Sequence, residues 1–282
     1  MPDSLSELVA GALAEDVGPG DVTSIATVPE DAQARARIVQ KEPGVVFGLV
    51  AVAEAMRQCG VDDLDNLVVE GQWRGEVPVE VAIAAGPARG ILAAERTALN
   101  FLGHLSGVAT LTARFAEAVA GTGAGILDTR KTTPGLRSLE KAAVVAGGGR
   151  NHRLGLHDAI LIKENHIALA GGLAEAVRAA RAAYPDLPVE VECRDLGEVS
   201  DALRAGADLL LLDNMDADTL GEAVRLRDEA GNAEAPSLEA SGGVTLETVR
   251  SIAETGVDLI SVGALTHSAP TLDFSLLLET AD

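Results

Sequence analysis

The chain has 282 residues, 47% of them hydrophobic, which suffices for one large domain or for one domain with a smaller companion. A formal charge of −21 argues against nucleic acid and anionic membrane surfaces as partners. One Trp, one Tyr and four Phe leave the core to Ala, Val, Leu and Ile, a composition suited to α/β layers rather than a β-sandwich.

In chain order, Leu5, Leu8, Val9 and Ala12 fall at helical spacing behind Ser4, a predicted N-cap. The opening MPDSLSELVAGALAED lacks the basic region and apolar run of an export signal. The next stretch, DVGPGDVTS, reads as a loop. Apolar runs at Ile38–Val39, Val45–Phe47, Leu67–Val69 and Val79–Ile83 predict strands, with one helix near Val50–Cys59. Strands outnumber helices in this part, which predicts an antiparallel sheet with helices on one face.

From about Gly103 the texture changes. Runs at 125–128, 159–163, 188–192, 209–213, 236–240 and 259–263 alternate with helical stretches, the signature of βα units and a parallel sheet. A closed eight-stranded barrel usually needs roughly 250 residues. This part is much shorter, so the predicted architecture is an open, incomplete βα-barrel. No run approaches the roughly 18 apolar residues of a membrane span. Cys59 and Cys193 supply neither a disulfide framework nor metal-ligand spacing. Together these features imply a cytoplasmic location.

Polar and glycine-rich residues follow nearly every predicted barrel strand. They are Asp128-Thr129-Arg130-Lys131, Lys163-Glu164-Asn165-His166, Glu192, Asp213-Asn214, Ser241-Gly242-Gly243 and Gly263-Ala264. In βα-barrels the active site is assembled at that face from several strands. Residues 128–166 also hold seven Lys/Arg against four acids, a cationic island in an acidic chain that points to an anionic ligand. Arg137 and Lys141 flank Glu140 on a predicted helix and read as surface ion pairing. Arg130, Lys131, Arg153 and Lys163 lie at strand ends or in a Gly/His-rich loop and read as ligand contacts.

Glu190 and Glu192 alternate with Val189 and Val191, so both face one side of their strand. Parallel strands are normally apolar on both faces, so two such carboxylates need a metal, a cation or water. Asp213 ends the following strand, and the Glu192/Asp213 pair suits Mg²⁺ beside a phosphate. Glu190 also fits a plain salt-bridge partner. The short loops at Ser241-Gly242-Gly243 and Gly263-Ala264 offer backbone N–H groups to a phosphate, ahead of helices predicted near Thr245 and Leu265.

On these residues the chain resembles the quinolinate phosphoribosyltransferases. The resemblance lies in ERTALNFLGHLSGVATLT (95–112), DTRKTTPGLRSLEKAAVVAGGGRNHRLGLHDAILIKENHI (128–167), LLLLDNM (209–215), LEASGGV (238–244) and GVDLISVGALTHSAPTLDFSL (256–276), with ALAEDVGPGDVTS (12–24) similar to the opening segment. It implies an N-terminal α/β sandwich with a mostly antiparallel sheet (1–105), then an open βα-barrel (106–269), with the tail 270–282 packing back on the first. It further implies a homodimer with a shared active site, quinolinate and phosphoribosyl pyrophosphate as substrates, and Mg²⁺. By the same resemblance, Arg96 (from the partner subunit), Arg130, His152, Arg153 and Lys163 bind the quinolinate carboxylates. Lys131, Glu192 and Asp213 take the reacting centre and the metal. Thr129, Ser241, Gly242, Gly243, Gly263, Ala264 and His267 take the substrate and phosphate loops. Ala142 and Cys193-Arg194 depart from the family pattern and touch none of these positions.

Three rival readings exist. Nicotinate, or the substrate of a molybdenum-associated paralogue, would replace quinolinate; nicotinate has one carboxylate, too few for five converging cations. A Schiff-base aldolase would use Lys163 as nucleophile. A sugar-phosphate binding module would leave Glu192 and Asp213 without a purpose.

Overall fold

A computed structural model describes residues 2–230 and 235–280. The chain forms two compact units, Met1–Ala113 with Thr133–Gly148 and Ser268–Asp282, and Arg114–Thr132 with Gly149–His267. The elements in order are α1 (Pro2–Val17), α2 (Val22–Thr27), β1 (Gln33–Gln40), β2 (Gly44–Val45), α3 (Leu49–Gln58), β3 (Asp63–Asn66), β4 (Trp73–Arg74), β5 (Val79–Pro87), α4 (Ala88–Ala118), β6 (Gly125–Leu127) and α5 (Arg137–Ala146). There follow β7 (Ile160–Ile162), α6 (Glu164–Ala170), α7 (Leu173–Ala183), β8 (Val189–Cys193), α8 (Leu196–Ala205), β9 (Leu209–Asp213), α9 (Ala217–Glu229), β10 (Ser237–Ser241), α10 (Val249–Ala253), β11 (Leu259–Ser261), α11 (Ala264–His267) and β12 (Phe274–Thr280).

The first unit carries a sheet of order β12-β1-β5-β3, antiparallel throughout. Its outermost strand comes from the C-terminal tail, so β1 is paired along both edges. α4 carries the chain without interruption across residues 105 and 106. Gly103 and Gly107 of α4 lie against the tail segment 270–272. A Cβ on Gly107 would stand 2.1 Å from the Pro270 carbonyl oxygen, and one on Gly103 would stand 2.7 Å from Thr271 Cγ2.

Several local expectations need correction here. α1 begins at Pro2, ahead of the cap expected at Ser4, whose side chain lies outside the described residues. The DVGPGDVTS loop shrinks to Gly18–Asp21, because Asp21 accepts the Thr23 and Ser24 N–H groups and starts α2. The strand expected at Leu67–Val69 lies earlier, over the polar DLDN of β3, while Leu67 and Val69 are exposed. An edge strand needs little apolar sequence, because only one of its ladders is buried. Glu140 and Lys141 of α5 are 0% and 1% exposed rather than surface ion-pairing groups. Glu140 accepts from the Thr133 N–H and pairs with His104 at 2.8 Å.

In the second unit six parallel strands run in the order β6-β11-β10-β9-β8-β7. β6 and β7 are its two ends, so the sheet is open, as the strand count had predicted. The expected strands all form, within one or two residues. Two aspartates hold the register at the N-terminal ends. Asp208 accepts the Val189 N–H and Asp258 the Leu238 N–H, each at 2.8 Å, while Arg181 and Arg227 pair with them. Asp195 and Asp216 cap α8 and α9 at the opposite, C-terminal end. The helix expected near Thr245 begins later, at Val249, and α11 has only four residues.

The contact between α4 and the tail gives a prediction. Gly107→Ala has no room against the Pro270 carbonyl and should destabilise the fold by about 1–3 kcal/mol. Gly11→Ala, with nothing within 4 Å in the interior of α1, should instead stabilise it by about 0.5–1 kcal/mol. Urea unfolding of the two variants checks both signs.

Candidate active site

Side chains on a strand alternate between faces, so residues two apart share a destination. The C-terminal ends of the parallel strands apply this rule with one result. Leu161 and Lys163 from β7, Glu192 from β8, Leu211 and Asp213 from β9, Glu239 and Ser241 from β10 and Ser261 from β11 all line one cavity of about 400 Å³. Thr129, Arg130, Lys131, His152 and Arg153 complete its wall. The volume suits a small charged organic ligand.

The cationic side is held by the backbone around β6. The chain returns beside this strand at Arg150, whose N–H donates to the Ile126 carbonyl at 2.8 Å, and Asp128 N–H donates back to the Arg150 carbonyl. Asp128 itself is fully buried and accepts the His152 N–H at 2.9 Å. That fixes where His152 and Arg153 leave the backbone. Asp158 closes the following loop by accepting the Leu154 and Gly155 N–H groups. On the other flank the Thr129 hydroxyl accepts the Lys131 N–H, and the Thr266 hydroxyl donates to the Lys131 carbonyl. Burial and the neighbouring Arg130 both lower the proton affinity of Arg153. Glu190 and Asp158 act in the opposite sense, and an anion bound beside Arg153 would support its charge further.

The acidic side is split. Lys163 donates to Glu192, with which it forms an ion pair. Glu192 is level with Leu211, so Asp213 stands one pleat nearer the cavity mouth on the adjacent strand. Deeper down, His152 Nε2 lies 2.9 Å from Glu190 Oε2 and 3.6 Å from Glu239 Oε2. Glu239 is 0% exposed, accepts from the Ser261 hydroxyl and is pushed up to about 8, first by burial and then by the field of Glu190. His152 is also raised. Burial opposes its charge, but the Glu190 hydrogen bond and the fields of Glu239 and Glu190 outweigh that and the opposing Arg153.

Nine of the residues expected from the sequence therefore meet in one cavity: Thr129, Arg130, Lys131, His152, Arg153, Lys163, Glu192, Asp213 and Ser241. Gly263 and His267 adjoin it, since a Cβ on Gly263 would lie 3.2 Å from His267 Nε2 and 3.3 Å from Lys131 Cδ. Ala264 opens α11 beside them. Gly242 has φ +103° and faces Asn214, whose Oδ1 would be 2.1 Å from an added Cβ, and Gly243 faces open space. Arg96 is exposed on α4 and does not line the cavity. Sequence reasoning passed over Glu239 and Ser261. The period-two rule that singled out Glu190 and Glu192 would have found both, two residues before Ser241 and Gly263.

Comparison with known proteins gives a consistent result. The family model described as the quinolinate phosphoribosyl transferase C-terminal domain matches residues 108–277, and its N-terminal counterpart matches residues 21–106. The chain is 45% identical over 279 residues to a protein of Mycobacterium leprae named nicotinate-nucleotide pyrophosphorylase [carboxylating], covering 97% of each chain. It is 42% identical to the chloroplastic protein of that name from Oryza sativa, over 98% of this chain and 78% of the other. Among solved structures, the nicotinate-nucleotide pyrophosphorylase of Francisella tularensis superposes with a TM-score of 0.93 at 38% identity, covering 98% of this chain and 96% of that one. The chain belongs to the quinolinate phosphoribosyltransferase family.

Proposed function

We propose that this chain transfers the phosphoribosyl group of phosphoribosyl pyrophosphate to quinolinate, releasing pyrophosphate and carbon dioxide and yielding nicotinate mononucleotide for NAD biosynthesis. The observation that carries the reading is the convergence of Arg130, Lys131, Arg153 and Lys163 on a cavity that Glu192 and Asp213 also line. A dicarboxylate and a pyrophosphate ester together need both halves. Arg130, His152, Arg153 and Lys163 bind the quinolinate carboxylates. Lys131 meets the departing pyrophosphate, with Thr129, Ser241, Gly242, Gly243, Gly263, Ala264 and His267 around the phosphates.

The chemistry follows from this placement. The pyridine nitrogen attacks C1 of the ribose as the bond to pyrophosphate breaks, through a ribosyl centre that carries positive charge. Glu192 and Asp213 stabilise that charge, and Lys131 stabilises the leaving group. Once ribosylated, the ring nitrogen draws electrons. The bond from C2 to its carboxylate then breaks, carbon dioxide leaves, and C2 takes a proton. The protein's main task in that step is to orient the dicarboxylate and exclude water.

Glu192 and Asp213 are hard oxygen donors on neighbouring strands facing one cavity, so they fit Mg²⁺. The ion would supply charge neutralisation on the pyrophosphate. Among the described residues no helix is long and apolar enough to cross a membrane. We place the enzyme in the cytoplasm, with neither membrane nor nucleic acid as partner. Arg96 reaches the site from the partner subunit of a homodimer.

Three measurements test this reading. Carboxyl-labelled quinolinate should release labelled carbon dioxide only with phosphoribosyl pyrophosphate; excess chelator should stop the release and Mg²⁺ restore it. Activity persisting in chelator would remove the metal from the scheme.

Arg153→Ala and Lys163→Ala should each weaken quinolinate binding by about 2–4 kcal/mol, the cost of breaking a desolvated charge pair from one side. Phosphoribosyl pyrophosphate should be affected much less. Calorimetry giving the reverse ranking would exchange the two subsites.

The shared site is tested by complementation. Arg96→Ala and Lys131→Ala homodimers should each be nearly inactive. Random reassortment of the two should restore about a quarter of the parent activity, since half the dimers are mixed and each has one intact site. Verified exchange without recovery would place Arg96 outside the partner's site.

A further inference from the structure

At the base of the cavity His152 and Glu239 of its lining meet Glu190, and the proposed reaction gives the two glutamates no role. Glu190 is level with Leu209 on β9, and Glu239 is level with Leu211, so the two carboxylates stand one pleat apart on strands separated by β9. They meet across the interior under the His152 ring, with ligand atoms of all three within 4.8 Å of one another. The side chains of Glu190 and Glu239 are 4% and 0% exposed, and that of His152 is 12% exposed. Glu190 Oε1 and Glu239 Oε2 are both buried without a hydrogen-bond partner as bare carboxylate oxygens.

Two ionised carboxylates at this depth would repel one another in a dry interior even with the His152 imidazole and Arg153 nearby, and burial together with the field of Glu190 raises Glu239. A proton on Glu239 removes one of those charges. It also turns an orphan acceptor into a donor that Glu190 can receive, and the two side chains are within hydrogen-bonding reach. The Ser261 hydroxyl donates to the other Glu239 oxygen and holds that carboxyl in its orientation. Glu190 then keeps its charge for His152 Nε2, and the group as a whole is neutral with an imidazolium at its top.

We propose that Glu190 and Glu239 are positioning residues that clamp His152 as a fixed imidazolium: ionised Glu190 takes the Nε2–H, and protonated Glu239 braces Glu190 from beneath. The clamp gives the carboxylate subsite a positive charge that is held in one orientation and favoured over the neutral ring. This rests on quinolinate being the ligand that His152 meets. The charged groups facing the ring are Glu190 from β8, Glu239 from β10 and Arg153 from its own segment, with Arg130 behind Arg153. Burial and Arg153 disfavour the cation, the hydrogen bond and charge of Glu190 favour it, and Glu239 adds its field only where it is ionised; the net direction is above the usual histidine value. The same three side chains could also hold a divalent cation. The short His152–Glu190 contact and the Ser261 hydrogen bond favour a proton instead.

The two isosteric amides separate these possibilities. Glu190→Gln removes the charge that His152 needs, whereas Glu239→Gln keeps a neutral donor in place. By NMR, His152 in the free parent should titrate above the ordinary value of about 6.5. It should stay there in Glu239→Gln and fall in Glu190→Gln. Equilibrium binding of quinolinate should weaken about tenfold or more in Glu190→Gln and by no more than about twofold in Glu239→Gln, with phosphoribosyl pyrophosphate binding unchanged in both. Stability should respond too. A carboxyl whose folded value is raised from about 4.5 to about 8 contributes stability in full below the lower figure and loses it as pH rises through the upper one. The thermal midpoint of the parent relative to Glu239→Gln should therefore fall between those limits. The clamp is wrong if Glu190→Gln leaves the His152 titration where it was, or if Glu239→Gln loses quinolinate as severely as Glu190→Gln. Stoichiometric Zn²⁺ binding to the free parent, abolished by both amides, would overturn it in favour of a metal site. A parent that fails to bind quinolinate would refute the functional reading, while the His152 titration would still decide the clamp.

Discussion

A parallel sheet tolerates charge in its interior only when every charge there is balanced, and that constraint organises the second unit. Val189, Val191, Leu210, Leu212 and Leu238 of its strands are fully buried. Most inward-facing polar side chains gather toward the C-terminal ends, where the sheet opens to the cavity, and Glu190, the second residue of β8, lies buried below them. Even there the deep carboxylates have assigned partners: Glu192 has Lys163, Glu190 has His152, Asp128 has the His152 backbone N–H, and Glu239 has the Ser261 hydroxyl on one oxygen. At the opposite end, Asp208 and Asp258 fix strand register through backbone N–H groups. Chemistry and register are thus kept at different ends of the same strands, so a ligand can perturb one without loosening the other.

Much of this was legible because it repeats. Six apolar runs with polar C-terminal ends are a periodic signal, and period-two alternation sorts their side chains into inward and outward sets without any knowledge of the fold. Applied to PVEVE, the rule separated Glu190 and Glu192 from their valines and placed both carboxylates inward. What it left open was the partner of Glu190. His152 comes from a loop with no periodicity of its own, and its position depends on Asp128 holding the backbone. Such a contact over 38 residues leaves no local trace in the sequence.

The first unit was harder to read for two physical reasons. Its sheet draws one strand from the far end of the chain, so the pairing of β1 with β12 has no neighbouring signal. Its edge strand β3 is polar, and the apolar run that looked like a strand, Leu67–Val69, is exposed instead. Glu140 and Lys141 misled in the opposite direction. Adjacent opposite charges on a short helix usually mean a solvated face, yet both are buried here. Glu140 is satisfied by the Thr133 N–H and His104, groups that no helical spacing could have suggested.

The cationic wall of the cavity follows from the same demand for balance, with one difference. Burial and the nearby Arg130 both disfavour the charge of Arg153, while Glu190 and Asp158 support it. Guanidinium groups do not relieve such a conflict by losing protons near neutral pH. An anion adds further relief, and a planar fork of donors matches a carboxylate in a way a lone ammonium does not. An anionic ligand therefore adds to the support that Glu190 and Asp158 give Arg153, and a ligand with two adjacent carboxylates adds more than one with a single carboxylate. On this argument the second carboxylate should favour quinolinate over nicotinate at this wall. Replacing one arginine should accordingly weaken quinolinate binding and narrow its advantage over nicotinate together.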